Sequence, residues 1–171
     1  MSPDTVFNAF AATAARHGEK AFLHIPRSAL GADAAHGADA KAPIEWTYAQ
    51  MLAEVERLAA SYRAQGYGVG HRVALLLENQ PAFLAHWLAI NAVGASIVPL
   101  NPDYQRAELE YVLGHSEAGV VVALPRFEAK LRELGMPAVH ITTTGDGFKL
   151  PKTVTAASDA SASESSECAL L

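Results

Sequence analysis

The chain has 171 residues, half of them hydrophobic and 18% charged, with 13 Lys and Arg against 18 Asp and Glu for a formal net charge of −5. That length suits one ordinary domain, and its apolar share is enough to bury a core, which excludes wholesale disorder. An acidic balance without clustered Lys and Arg excludes nucleic acid as an expected partner, and no apolar run reaches the ~18–20 residues of a membrane span.

Ser2 and Pro3 suit the N-cap and first position of a helix whose apolar stripe is Val6, Phe7, Phe10, Ala11 and Ala14, ending near Gly18. Residues 21–25 and 44–46 are β-type runs, read as a hairpin with a long loop over the Ala/Gly/Asp-rich residues 28–41. Thr47-Tyr-Ala-Gln50 has the capping-box pattern. Met51, Leu52, Val55, Leu58, Ala59 and Tyr62 then recur at helical spacing, with Gly66 as the stop.

From Arg72 onward short apolar runs alternate with helical patterns. Strands are expected over 73–77, 96–100, 119–124 and 138–142; helices open at Pro81, follow Asn101-Pro102, and span 126–134. Strands apolar throughout belong to a parallel sheet covered on both faces. The expected fold class is therefore α/β, a doubly wound, mostly parallel sheet with flanking helices plus a small β-hairpin. Residues 1–150 are read as the α/β unit. Residues 151–171 are read as a Ser/Ala-rich linker running into the start of a further strand, Cys168-Ala-Leu-Leu171.

The chemistry is sparse. Cys168 is the single cysteine, so no internal disulfide forms, and the seven histidines show no His-x-x-x-His spacing. No metal site and no catalytic residue is expected. Met1-Ser-Pro-Asp-Thr5 has no basic region followed by an apolar core, and with the lone thiol this points to a reducing cytoplasm. Gly66-Tyr-Gly-Val-Gly70 precedes a strand, whereas a phosphate loop follows one. In an open parallel sheet ligands bind beyond the carboxyl ends of the strands. There Glu78-Asn79-Gln80 and Asn101-Pro-Asp-Tyr-Gln-Arg106 offer polar groups or simply turn the backbone. Arg126 and Lys130, one helical turn apart, are either two cations for an anionic ligand or a solvated helix face. His86 and Trp87, in an apolar helix, are read as packing residues.

Two stretches carry a resemblance. Trp46-Thr-Tyr-Ala-Gln-Met51 is similar to the "hydrophobic-T-Y-x-E-L" start of a helix in the ATP-dependent adenylate-forming (AMP-binding) enzymes, the acyl-CoA synthetases and their relatives. Leu88-Ala-Ile-Asn-Ala-Val-Gly-Ala-Ser-Ile-Val-Pro-Leu-Asn-Pro-Asp-Tyr104, preceded by Asn79-Gln-Pro-Ala-Phe-Leu84 and followed by Glu108-Leu109 and Tyr111-Val-Leu113, resembles that family's "G-A-x-x-V-P-L-N-P-x-Y…E-L-x-Y-x-L" signature. The resemblance covers roughly residues 3 to 171 and implies the N-terminal subdomain of such a ligase. The family's phosphate loop, "Y-T-S-G-T-T-G-x-P-K-G", its Y-G-x-T-E stretch and its catalytic lysine have no counterpart in these residues.

For a whole enzyme the resemblance implies a carboxylic acid substrate, ATP, Mg²⁺ and coenzyme A. The carboxylate attacks the α-phosphate of ATP to give an acyl-adenylate and pyrophosphate, and a thiol then displaces AMP. The fragment alone is expected to be inert and to need the remainder of the ligase as partner, with an apolar face left exposed or paired with a second copy. Family positions along the coenzyme A path fall on Leu100, Asn101, Arg126 and Lys130. Two other readings stay open: a self-standing flavodoxin-like binding module, and a short subunit of a split ligase.

Overall fold

The computed structural model describes residues 5–26, 44–145 and 148–153. The expected 28–41 loop and the segment after Thr153, with Cys168, lie outside them. Helix α1 runs Val6–His17, strands β1 and β2 are Ala21–Ile25 and Ile44–Thr47, and α2 is Tyr48–Ala64. There follow β3 (Arg72–Leu76), α3 (Pro81–Ala92), β4 (Ser96–Pro99), α4 (Arg106–Ser116), β5 (Val120–Ala123), α5 (Glu128–Arg132) and β6 (His140–Thr143).

Local chemistry sets most of these bounds. The Thr47 hydroxyl accepts the Gln50 amide at 3.2 Å while the Gln50 side chain accepts the Thr47 amide at 2.9 Å, so the expected capping box closes at the start of α2. Gly66 takes φ +87° just past the helix, where only glycine avoids a steric penalty. At α1 the expectation needs correction. Thr5, not Ser2, is the cap: its backbone is extended, and its hydroxyl accepts the Asn8 amide at 3.1 Å. The helix expected over 126–134 is also shorter. Pro125–Phe127 forms a 3₁₀ turn, α5 covers only Glu128–Arg132, and Gly135 at φ +67° turns the chain away.

The sheet is fully parallel, in the order β4-β3-β5-β6, and β1 and β2 pair antiparallel as a separate two-stranded sheet. The two central strands, β3 and β5, are buried on both faces, which explains their unbroken apolar runs, whereas the edge strand β6 leaves His140 exposed. Val73, Leu75, Leu77, Ile97, Val120 and Val122 point to a core shared with α1, α2 and α3. Ala74, Leu76, Val98, Leu100, Val121 and Ala123 point to a second core under α4 and α5. The architecture is the doubly wound α/β arrangement the sequence predicts. The Asn91 side chain accepts the Phe7 amide at 3.0 Å, fastening α1 to α3. His86 and Tyr62 meet inside the first core, with the Tyr62 hydroxyl 3.0 Å from His86 Nδ1 and Phe148 packed on both rings. His86 is thus a packing residue, as its apolar helix predicts.

The winding places a cleft. From β3 the chain passes through α3, on the first face, to β4. It then returns through α4, on the opposite face, to β5 on the other side of β3. The strand order therefore reverses between β3 and β5, the point beyond whose carboxyl ends open α/β sheets bind their ligands. Register brings the strand ends level: Leu75 faces Pro99 and Val122, Leu76 faces Ala123, and Ala123 faces Thr143.

Candidate functional site

Four loops leave the sheet at this level. The Leu100 amide bonds to the Leu75 carbonyl at 2.9 Å, Leu124 to Leu76 at 3.3 Å and Thr144 to Ala123 at 3.0 Å, so the first residues of the loops after β4, β5 and β6 are still held by the neighbouring strand. Glu78, Asn101 and Arg126 follow directly. The Arg126 guanidinium makes an ion pair with Glu78, joining the loops after β3 and β5 across the switch point, and its carbon lies 4.9 Å from the centroid of the Phe127 ring.

Asn101 closes a turn: its Oδ1 accepts the Asp103 amide at 3.0 Å, and its carbonyl accepts the Tyr104 amide at 3.1 Å. Lys130 reaches the same turn from α5. Its ammonium donates to the carbonyls of Pro102, at 3.1 Å, and Tyr104, at 2.5 Å. Arg106 is likewise committed, donating to the Glu133 and Leu134 carbonyls at 2.8 and 3.3 Å and to Glu110 Oε1 at 2.7 Å. Leu100 is 4% exposed and contributes packing and backbone. Of the four residues singled out from the sequence, the structure brings Asn101 and Lys130 to one turn, seats Leu100 beneath it, and directs Arg126 to Glu78.

Removing the Lys130 charge while keeping its stem tests what that ammonium does. Lys130→Met is expected to cost about 1 kcal/mol, since the two carbonyls regain water only in part. Amide exchange at Tyr104 should quicken selectively. Unchanged exchange there would show that the turn stands without the lysine.

The pairing of Glu78 with Arg126 is what sequence reasoning missed. The signal was present in weak form, because Glu78 directly follows an apolar strand, but 48 residues separate the partners and only the strand order brings them together. Among the described residues no three His, Cys, Asp or Glu side chains group to hold a metal, and no helix is long and apolar enough to cross a membrane. A cavity of about 840 Å³ lies at the other end of the sheet, lined in part by His71, Arg72, Glu117, Met136 and His140. It opens at the amino ends of the strands, where sheets of this class do not place their chemistry, and the 2.7 Å Arg72–Glu117 ion pair sits on it.

Residues 10–169 match the model of the AMP-binding enzyme family. The chain belongs to that family. Sequence relatives of this AMP-binding chain include the nonribosomal peptide synthetase anaPS of Neosartorya fischeri, 34% identical over 63% of the chain and 4% of the synthetase. Another is the crotonobetaine/carnitine–CoA ligase of Salmonella paratyphi A, 30% identical over 60% of the chain and 20% of the ligase. The chain thus spans about a fifth of the ligase and far less of the synthetase. Among solved structures, the N-terminal domain of FACL13 from Mycobacterium tuberculosis aligns with a TM-score of 0.68 at 22% identity, covering 82% of this chain and 34% of that one. The N-terminal subdomain of Klebsiella oxytoca NpsA, in complex with 3-hydroxybenzoyl-AMSN, aligns at 0.63 and 19% identity, covering 81% and 30%. These likenesses show the fold: the AMP-binding chain has the architecture of the N-terminal subdomain of adenylate-forming enzymes.

Proposed function

We propose that these residues form the N-terminal α/β subdomain of an ATP-dependent acid–thiol ligase of the acyl-CoA synthetase type. The cleft between β3 and β5 would form one wall of the path taken by the thiol, coenzyme A. The observation that supports this most directly is the family match over residues 10–169, because it falls on a sheet whose switch point carries Arg126. The reaction joins a carboxylic acid to a thiol through an acyl-adenylate, with ATP as the activating substrate.

Coenzyme A suits this wall. It carries phosphate esters, and a guanidinium at the strand ends, steadied over the Phe127 ring, is the kind of group that binds them. Leu100 and Asn101 would shape the wall, and Lys130 would hold the turn that Asn101 begins. ATP does not suit it. Nucleotide activation needs a cradle of donors around the phosphates and a metal ion beside them. The loop after β3 instead presents the Glu78 carboxylate, and no stretch of the sequence matches the pattern Y-T-S-G-T-T-G-x-P-K-G. No adenylation step is assigned to these residues, and the chain is inert without the part of the ligase that supplies one.

The test is pyrophosphate release from ATP over a panel of carboxylic acids, with thioester formation followed in parallel. It is run on the 171-residue chain and on the same residues joined to the portion that follows in the CoA-ligase relatives. Turnover is expected from the joined protein alone. Turnover by the 171 residues unaided would overturn the reading, as would a joined protein that folds and releases no pyrophosphate with any acid.

A further inference from the structure

We propose that Glu78 is a displaceable carboxylate latch on Arg126, engaging the guanidinium until a phosphate group of the incoming ligand takes its place; the inference rests on reading this cleft as the thiol path. Three observations carry it. The ion pair spans the switch point itself, so a ligand entering between the β3 and β5 loops meets it. Both side chains are partly open to water, 31% for Arg126 and 37% for Glu78, so a dissolved anion can compete for the guanidinium without unfolding anything. The third observation is a contrast with the neighbouring cations. Lys130 donates to two backbone carbonyls of a turn, and Arg106, besides its Glu110 partner, to two at a helix end; such carbonyls cannot swing aside. Glu78 holds Arg126 by a side chain with several rotatable bonds, at a position just past a strand.

The Phe127 ring gives the exchange its direction. With its carbon 4.9 Å from the ring centroid, the guanidinium keeps a support when the carboxylate leaves. A phosphate dianion offers the same forked acceptor geometry as a carboxylate with more charge, so it competes well for the vacated donors. The latch also has to be weak, and a partly exposed ion pair is. Its loss should change anion affinity by about two- to fivefold, the range such pairs are worth. A latch of this kind keeps Arg126 positioned between turnovers and discriminates against ligands that lack a phosphate, because those do not repay the broken pair.

The experiment measures dissociation constants for coenzyme A and for inorganic phosphate at low ionic strength. The proteins are the 171-residue chain, Glu78→Gln, Arg126→Gln, the double variant, and Glu117→Gln, which removes the same charge at the opposite end of the sheet. Circular dichroism and urea midpoints verify that each is folded. Glu78→Gln is expected to tighten coenzyme A about two- to fivefold, with the gain shrinking as salt rises. The same change should do nothing in the Arg126→Gln background, and Glu117→Gln should do nothing in either. Unchanged or weaker binding of both coenzyme A and inorganic phosphate by Glu78→Gln overturns the latch, as does a gain that persists without Arg126 or appears equally in Glu117→Gln. Coenzyme A binding that depends on Arg126 but ignores Glu78 leaves the thiol path standing and removes the latch. A Glu78→Gln gain for inorganic phosphate with none for coenzyme A retains the latch and removes the thiol path, and no binding by any variant removes both.

Discussion

Lowering the pH from about 6.5 to about 4 is expected to remove on the order of 3 kcal/mol of folding stability through one side chain, His86. The imidazole is 4% exposed, on the face of α3 turned to the first core, and its pKa is lowered to about 4. Burial is the main cause. Glu54 on α2 pulls the value back up to a lesser extent, and Arg57 lowers it further. Burial also pushes the Tyr62 phenol well above its ordinary range, so Tyr62 stays a protonated donor facing His86 Nδ1 at 3.0 Å. An unprotonated ring nitrogen accepts that bond; an imidazolium would present a second donor to it.

The sign follows from proton counting. Between about 6.5 and 4 the unfolded chain binds a proton at His86 and the folded chain does not. Stability is therefore fully present above the unfolded value, falls with pH through this window, and levels off below it. Urea unfolding at pH 7 and pH 4 on the native chain and on His86→Leu/Tyr62→Phe checks this, the second substitution sparing the variant an orphaned hydroxyl. The other six histidines are the same in both proteins, so whatever they contribute cancels in the comparison. The native chain should lose on the order of 3 kcal/mol more than the variant. Parallel pH profiles would mean that His86 accepts its proton in the folded state.

Much of the architecture was legible because it rests on short-range signals. The apolar runs from Val73 and Gly119 have no polar alternation, as strands covered on both faces require, while the run from Ala138 alternates through His140 and Thr142 and forms the edge strand. The Thr47 box and the +87° turn at Gly66 are likewise written in adjacent residues. The cap expected at Ser2 falls instead on Thr5, whose hydroxyl accepts the Asn8 amide. The 126–134 pattern failed as one helix because Pro125 starts a tighter turn and Gly135 ends the run early. The cleft was half legible. Strand-end rules pointed to Asn101, Arg126 and Lys130, but a sequence does not say where a long cationic side chain spends its charge. Lys130 turns back to the 102 and 104 carbonyls and Arg126 crosses to Glu78, and both outcomes follow from which strands are neighbours.

Leu75→Ala is expected to cost about 2–5 kcal/mol of stability with an unchanged denaturant slope. Leu75 has no exposed surface and belongs to the first core. Its strand lies between β4 and β5, and Leu75 itself is registered against Pro99 on one side and Val122 on the other. That double pairing is why the cost should sit toward the upper part of the range. A cavity shrinks when backbone moves into it, and here any inward movement of β3 would disturb ladders on both edges. The Leu75 carbonyl also accepts the Leu100 amide at 2.9 Å, so movement would carry into the turn that Asn101 begins, linking core packing to the geometry of the cleft. Val69→Ala supplies the reference: Val69 is 87% exposed, and its truncation should stay within about 0.5 kcal/mol. A cost below about 1 kcal/mol at Leu75 would mean that the first core closes by relaxation. The strand ends, and with them the spacing of Glu78 from Arg126, would then lack the rigid support that the register implies.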